Sequence, residues 1–226
     1  MSTIYVDVDT QFDFCDPGGA LFVRGAPAAL PAIRRLVEHA RRAGIRVLGS
    51  VDSHDFDAWE FARNQRRGPG GEEGLWPPHC VKGTTGWTKL DGTLVERFRF
   101  VPNVPPDLAS PAAAAHYLRG APQALYFEKE VYSLFANPLA ARVLERLADG
   151  EDELAFVVFG VATDYCVKAA AAGLLAWAEE HRALRVSVAL AVDALGAVDL
   201  QPSDGERALQ SLAERGCKLV HTTELL

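Results

Sequence analysis

Short apolar runs alternate with helix-favouring segments along most of the chain, and this alternation predicts its secondary structure. Apolar runs rich in β-branched and aromatic residues are typical of strands buried on both faces of a parallel sheet. Runs of this kind lie at residues 4–8, 45–51, 124–128, 154–160, 184–192 and 217–221. Helical spacing or composition predicts helices between them, at residues 28–43, 138–148, 169–182 and 204–215.

This order of elements predicts an α/β fold. Strands that alternate with helices form parallel sheets, and right-handed crossovers place the helices on both faces. The sequence therefore predicts a three-layer α/β/α architecture with Rossmann-like topology, around a six-stranded, mainly parallel sheet. No linker or internal repeat divides the chain, so residues 1–226 are predicted to form a single domain.

Residues 55–123 interrupt the alternation and carry little periodicity. Glycine and proline punctuate two loops, at 68–71 and 76–87, and a short apolar run at 98–101 is a candidate for a small extra strand. Residues 112–118 are predicted to form one or two helical turns. So long an irregular stretch inside a compact domain is usually functional.

Charge and cysteine content narrow the class of protein. The net charge is −7, and 23 Lys and Arg residues are dispersed among 30 Asp and Glu residues. We expect no nucleic-acid partner without a basic stripe, and no membrane partner without a long apolar run. The amino terminus enters the first strand without a signal-peptide pattern, which predicts a cytoplasmic protein. The four cysteines are too scattered for a disulfide framework and are predicted to be reduced thiols: Cys15, Cys80, Cys166 and Cys217.

The segment around Cys166 is the first candidate for chemistry. The apolar run before it ends at Gly160, and Asp164 is placed to cap the helix that follows. Cys166 is then predicted in the first helical turn, at the carboxyl edge of the sheet, where open α/β folds bind ligands. Free backbone N–H groups and the helix dipole would lower the pKa of its thiol there. A small buried hydrophobic residue is the alternative interpretation of a lone cysteine.

Polar residues also end other predicted strands. Asp9 follows the first strand, in a loop without the glycine-rich phosphate cradle of a nucleotide cofactor, and Lys129 follows a later strand. In the apolar setting of Phe12 and Phe14, the Asp9 carboxylate would have a raised pKa and could exchange a proton with a thiol. Lys129 could keep both groups charged and offset negative charge on a substrate. A capping carboxylate and a solvated lysine are the alternatives.

A second group of residues has the character of a metal site. Asp52 and His54 end the second strand and can point the same way, while His79 in the long irregular stretch can close on them. Glu60 is a candidate fourth ligand if its loop turns back. This donor set suits one divalent ion, Zn²⁺ first and Fe²⁺ or Mn²⁺ as alternatives; satisfied polar loop residues are the other interpretation. The remaining histidines are predicted to be structural or at the surface: His39, His116, His181 and His221.

Five segments together resemble the isochorismatase-like cysteine hydrolases, and within them the nicotinamidase branch. They are residues 8–14 (VDTQFDF), 52–54 (DSH), 76–86 (WPPHCVKGTTG), Lys129 with 132–135 (YSLF), and 160–167 (GVATDYCV). The last segment marks the superfamily. The Asp-x-His pair and the Trp-Pro-x-His-Cys loop mark the branch, because relatives that act on isochorismate or carbamoylsarcosine generally lack that metal site.

The resemblance implies hydrolysis of nicotinamide, or a related small pyridine carboxamide, to the acid and ammonia through a cysteine thioester, with the pyridine ring bound to the metal. It implies a catalytic triad of Asp9, Lys129 and Cys166. It also implies a cis peptide bond before Ala162, and an oxyanion hole formed by the backbone N–H groups of Ala162 and Cys166. Asp52, His54 and His79 would be metal ligands, with Glu60 at a variable additional position. Aromatic residues would enclose the substrate ring: Phe14, Trp76 and Tyr132.

The chain also departs from the family pattern. The stretch 96–123, between the loop at 76–86 and the strand that ends at Lys129, is longer than is usual in the family. A lid and the contacts of a homo-oligomer are both open interpretations of this stretch. The loop at 68–74 changes how Glu60 and His79 would approach the metal. Two alternatives stay open: another hydrolase of the family, acting on a different small amide, carbamoyl or isochorismate-like substrate, and a non-catalytic flavodoxin-like binding module.

Overall fold

A parallel sheet of seven strands forms the centre of the computed structural model, which describes residues 2–68 and 70–226. The strands are β1 (Ser2–Val8), β2 (Arg46–Asp52), β3 (Phe98–Val101), β4 (Ala124–Lys129), β5 (Glu153–Val161), β6 (Arg185–Gly196) and β7 (Lys218–Val220). Their order across the sheet is β3-β4-β2-β1-β5-β6-β7, and every pairing is parallel. The predicted fold is confirmed, but the predicted count of six strands is corrected, because the short run at 98–101 pairs with β4 as an edge strand.

Helices cover both faces of the sheet. They are α1 (Phe12–Cys15), α2 (Ala26–Ala43), α3 (Pro111–Leu118), α4 (Pro138–Ala148), α5 (Lys168–Glu180) and α6 (Asp204–Glu214). The apolar side of α2 packs on one face, while side chains of α3 to α6 pack on the other. Gly44 ends α2 with a φ of 68°, a left-handed conformation that glycine adopts without steric cost. Among the described residues no helix is long and apolar enough to cross a membrane.

Strand β1 shows why apolar residues follow one another along it without alternation. Ile4, Val6 and Val8 point into the core beneath α3 to α6, whereas Tyr5 points into the core beneath α2. Both faces of the strand are therefore buried. Burial of one such apolar side chain stabilises the fold by about 1.5–3 kcal/mol.

Gly160 brings β5 close to β1 at the carboxyl edge of the sheet. Its φ is 120°, and a Cβ at this position would collide with the carbonyl oxygen of Val8. Only glycine combines this conformation with this approach. The turn that carries Cys166 consequently lies beside the end of β1.

The long stretch between β2 and β3 contains little regular secondary structure. It contains two single-turn helices, Ala62–Asn64 and Thr85–Trp87. Isolated bridges join His54 to Val81 and Phe61 to Trp76. Pro69, in the loop predicted at 68–71, lies outside the described residues.

Candidate active site

The carboxyl ends of four strands meet on one side of the sheet. Asp9 follows β1, Asp52 ends β2, Lys129 ends β4, and Cys166 lies in the turn after β5. Because β4, β2, β1 and β5 are consecutive in the sheet, their ends are neighbours. The structure thus brings together the polar strand ends that the sequence singles out.

The Lys129 ammonium lies at the centre of this group. Its Nζ is 2.8 Å from Asp9 Oδ2, 2.5 Å from Asp52 Oδ1 and 3.5 Å from Cys166 Sγ. A carboxylate oxygen of Asp9 lies within 4.8 Å of the same sulfur. The Lys129 side chain has no exposed surface, so these contacts replace its hydration.

The pKa values of this group are set by burial and by the lysine. Burial raises the pKa of Asp9, against the opposing effect of Lys129, which confirms the predicted direction. The partners of this carboxylate are nevertheless polar, since the Ser50 hydroxyl donates to Asp9 Oδ1 at 2.7 Å. Burial acts to lower the pKa of Lys129, but Asp52 and Asp9 outweigh it and hold that pKa well above its usual value. The lysine therefore stays charged.

Cys166 differs from its predicted state in two respects. It lies in a π-helical turn, Thr163–Val167, before α5 begins at Lys168. Burial raises the pKa of its thiol well above the usual value, with Lys129 opposing, so the predicted lowering is wrong. The physical reason is that the sulfur has lost its hydration and faces two carboxylates, Asp9 and Asp52, as well as one ammonium.

Asp164 does not cap the following helix. Its carboxylate accepts hydrogen bonds from the backbone N–H groups of Val198, at 3.0 Å, and Asp199, at 2.9 Å. The predicted cap is therefore wrong: the carboxylate ties the Cys166 turn to the loop between β6 and α6. This contact joins segments far apart in sequence, which local capping rules do not describe.

A cluster of metal-ligand type adjoins the lysine centre. Asp52 Oδ2 is 3.7 Å from His54 Nε2 and 3.6 Å from His79 Nε2, and His54 Nε2 is 3.5 Å from Glu60 Oε2. These separations are longer than good hydrogen bonds. They are close to the ligand–ligand edge of about 3.4 Å expected around a tetrahedral ion with bonds of about 2.1 Å. Asp52, His54 and His79 can therefore hold a metal ion, with Glu60 beside them.

The imidazole nitrogens support this interpretation. His54 is completely buried, yet neither of its ring nitrogens has a hydrogen-bond partner in the part of the chain that the structure describes. His79 Nδ1 lies 2.8 Å from the Pro77 carbonyl oxygen and can donate to it, and in that tautomer Nε2, 3.6 Å from Asp52 Oδ2, carries the free lone pair. Buried polar atoms without partners are costly unless a ligand satisfies them.

A second grouping of ligand atoms is not a cation site. Asp9, Asp52 and Cys166 also place ligand atoms within 4.8 Å of one another. The Lys129 ammonium contacts all three, so the position between them already holds a positive charge.

The two centres open into one small pocket. Its volume, including open space at the mouth, is about 380 Å³. Asp52, His79 and Cys166 line it together with apolar and aromatic residues: Phe14, Leu21, Val23, Trp76, Tyr132, Ala162, Tyr165 and Val198. The Trp76 indole N–H donates to the Tyr132 hydroxyl at 2.9 Å across the rim.

The pocket contains every predicted aromatic residue and some that the sequence analysis missed. Tyr165 packs edge-on against Trp76, with ring centroids 5.4 Å apart, and its position next to Cys166 was a usable signal. Leu21, Val23 and Val198 come from loops and carried no such signal. The peptide bond before Ala162 is cis, as the resemblance implies.

Left-handed backbone conformations occur on both sides of the site. Asp9 has a φ of 47° and Cys80, next to His79, a φ of 46°. Non-glycine residues seldom adopt such angles, and they concentrate at functional sites.

Comparisons with known proteins identify relatives of this chain. The family model described as "Isochorismatase domain" matches residues 3–96. The nicotinamidase of Escherichia coli (strain K12) is 29% identical over 223 residues, covering 94% of this chain and 91% of that protein. The nicotinamidase/pyrazinamidase of Mycobacterium tuberculosis is 30% identical over 161 residues, covering 71% of this chain and 72% of that protein.

A solved structure is similar over nearly the whole chain. The crystal structure of the Pyrococcus horikoshii pyrazinamidase in complex with zinc is 26% identical, with a TM-score of 0.68 and coverage of 98% of this chain and 99% of that one. The fold and the site define an α/β hydrolase with a cysteine at the carboxyl edge of its sheet. This chain belongs to the isochorismatase family of hydrolases. The two curated relatives described above are nicotinamidases.

Proposed function

We propose that this protein is a nicotinamidase, which hydrolyses nicotinamide to nicotinate and ammonia through a thioester on Cys166. The observation that carries the proposal is the meeting of two centres at one small pocket. The sulfur of Cys166 lies beside Lys129 and Asp9, and the Asp52, His54 and His79 cluster adjoins them. The similarity to curated nicotinamidases supports the same activity.

Asp52, His54 and His79 would hold one divalent ion, with Glu60 as a further candidate ligand. The zinc in the Pyrococcus horikoshii structure supports Zn²⁺. When bound, the ion would supply a positive charge and open coordination positions for the ring nitrogen of the substrate. The hydrogen bond at His79 Nδ1 would fix that imidazole for its role.

The protein groups would divide the acyl-transfer chemistry among them. Asp9 would accept the thiol proton as Cys166 Sγ attacks the carboxamide carbon, so that no free thiolate has to persist in the buried site. Asp9 would pass that proton to the amide nitrogen, and the C–N bond would break to release ammonia. A water deprotonated by Asp9 would then attack the thioester carbon, the C–S bond would break, and Asp9 would return the proton to the sulfur as the acid is released. Lys129 would offset the charge on Asp9 and on the sulfur throughout.

Two further groups would act on the substrate directly. The backbone N–H groups of Ala162 and Cys166 would stabilise the oxyanion of the tetrahedral intermediate. Phe14, Trp76 and Tyr132 would enclose the ring and exclude bulk water.

The test is an ammonia-release assay on purified protein with nicotinamide, with nicotinate identified as the second product. We expect turnover that a chelator abolishes and that Zn²⁺ restores. Absence of nicotinate formation by metal-loaded protein would contradict the proposal.

His54→Ala separates this function from its main alternative. Loss of a metal ligand should abolish nicotinamide turnover, whereas a family hydrolase that works without metal would keep its activity on another small amide or carbamoyl substrate. His39→Ala is the matched control, because His39 bonds to the Tyr5 hydroxyl at 2.9 Å and does not line the pocket.

A further inference from the structure

Gln11 is a buried side chain that the chemistry described above does not use. Its carboxamide makes two hydrogen bonds to the backbone of Asp52: Nε2 donates to the Asp52 carbonyl oxygen at 2.9 Å, and Oε1 accepts from the Asp52 N–H at 2.7 Å. Nε2 also donates to the Trp87 carbonyl oxygen at 2.9 Å. Gln11 has no exposed surface and does not line the pocket.

The carboxamide takes the place of a missing strand. The pairing of β1 with β2 ends where Val8 faces Ser50, and the Asp9 N–H donates to the Ser50 carbonyl oxygen at 3.2 Å. Asp9 then turns the chain away from the sheet with its left-handed backbone. Asp52 thus ends β2 with β4 on one side and no strand on the other. Gln11 supplies the donor and the acceptor that a neighbouring strand would have offered.

The position of Asp52 matters to both centres of the site. Its Oδ1 contacts the Lys129 ammonium, and its Oδ2 faces His54 and His79. A displacement of its backbone would move both oxygens together. Sites of this kind tolerate errors of only about 0.5 Å in their ligands.

We propose that Gln11 is a positioning residue for the metal cluster, which acts by fixing the backbone of Asp52 as a substitute strand. The inference rests on the proposed function only in taking Asp52 as a metal ligand. Loss of such a supporting hydrogen bond typically weakens metal binding by about 10–100-fold.

The test compares Zn²⁺ affinity, by competition with a chromogenic chelator, in the wild-type chain and in Gln11→Met. Methionine keeps the length of the side chain but makes none of the three hydrogen bonds. We expect affinity to fall by about 10–100-fold, and the visible spectrum of the Co²⁺-loaded variant to change, which a general loss of stability would not cause.

Gln123→Met is the matched control. The Gln123 amide donates to the carbonyl oxygens of Ala40, at 2.6 Å, and Ile45, at 3.1 Å, at the opposite end of the sheet. This variant should lose stability but keep the wild-type Zn²⁺ affinity and Co²⁺ spectrum. Should Gln11→Met not fold, Gln11→Asn and Gln123→Asn are measured in the same way, with the same expectations.

The outcomes are distinct. Wild-type affinity and spectrum in a folded Gln11 variant would overturn the inference, and so would an equal loss in the Gln123 control. A wild-type chain that fails to bind Zn²⁺ would instead overturn the assignment of the metal cluster, and the inference with it.

Discussion

Two completely buried lysine side chains pair with carboxylates at β1, and only one of them, Lys129, contacts residues that line the pocket. Lys89 Nζ lies 2.9 Å from Asp7 Oδ2, 2.6 Å from the Thr10 hydroxyl and 4.4 Å from the centre of the Tyr126 ring. Thr10 also donates to Asp7 Oδ1 at 2.9 Å. This Lys89 centre is closed, because its polar groups satisfy one another.

The Lys129 centre also consists of a buried lysine paired with carboxylates, but the polar atoms beside it are not all satisfied. It adjoins the pocket, and next to it the His54 ring nitrogens lack partners within the described residues. A buried charge alone therefore does not mark a functional site, since ion pairs such as Lys89–Asp7 also serve structure. Unsatisfied ligand atoms beside an accessible cavity distinguish the two centres.

The largest expected effect concerns the sulfur of the Lys129 centre. Cys166→Ala should lower nicotinamide turnover by at least about 10⁴-fold, because the nucleophile is lost. Cys217→Ala is the control, since Cys217 is also 6% exposed but lies outside the pocket. Ammonia release measures both variants, and normal turnover by Cys166→Ala would favour a non-catalytic role for the pocket.

The two lysines provide the direct test of the comparison. Lys129→Met should lower turnover by about 10³-fold, because Asp9 and Asp52 lose their shared counter-charge. Lys89→Met should act mainly on folding, lowering the free energy of unfolding by about 3–5 kcal/mol, because the buried Asp7 carboxylate loses its counter-charge. Turnover per folded molecule and denaturant unfolding separate the effects, and equal losses of turnover would remove the distinction.

Metal binding at the Asp52, His54 and His79 cluster should raise the free energy of unfolding, and the Lys89 centre should take no part in this gain. Zn²⁺ at about 100 times its Kd should raise the free energy of unfolding by about 2.7 kcal/mol. His54→Ala should lose this gain, whereas Lys89→Met should keep it from a lower starting point. Unfolding curves with Zn²⁺ or with chelator provide the measurement, and a gain retained by His54→Ala would place the ion elsewhere.

The smallest expected effect concerns a carboxylate that is partly exposed. Burial acts to raise the pKa of Asp193, but hydrogen bonds from the Thr222 hydroxyl and N–H outweigh it and lower that pKa. A lowered folded-state pKa gives stability that is present above the unfolded pKa and is lost as pH falls through the folded value. Asp193→Asn should therefore cost about 1 kcal/mol at neutral pH and less near pH 3. A cost that is the same at both pH values would contradict this reasoning.

The fold and the grouping of polar residues at the sheet edge could be predicted for related reasons. The apolar runs mark strands buried on both faces, and polar residues at their carboxyl ends must meet on one edge. Asp9, Asp52, Lys129 and Cys166 could be grouped on that basis. The strand at 98–101 was only a candidate, since four residues at an edge carry little pattern.

Other features depend on contacts between distant segments. Asp164 has the sequence of a helix cap, yet its carboxylate holds a loop more than thirty residues away. Gln11 lies in the segment 8–14 that the resemblance singles out, but its role follows only from the gap that β1 leaves beside Asp52. Residues such as Leu21 and Val198 line the pocket only because the fold brings their loops beside it.

The sequence by itself determined the alternating architecture and the chemical types gathered at the sheet edge, because hydrophobic periodicity and strand direction are properties of local residue order. Tertiary structure alone decided the raised pKa of the Cys166 thiol and the spacing of Asp52, His54 and His79. It also decided that the polar groups around Lys89 satisfy one another. Those properties depend on loss of hydration and on distances of a few ångströms between side chains, and packing sets both.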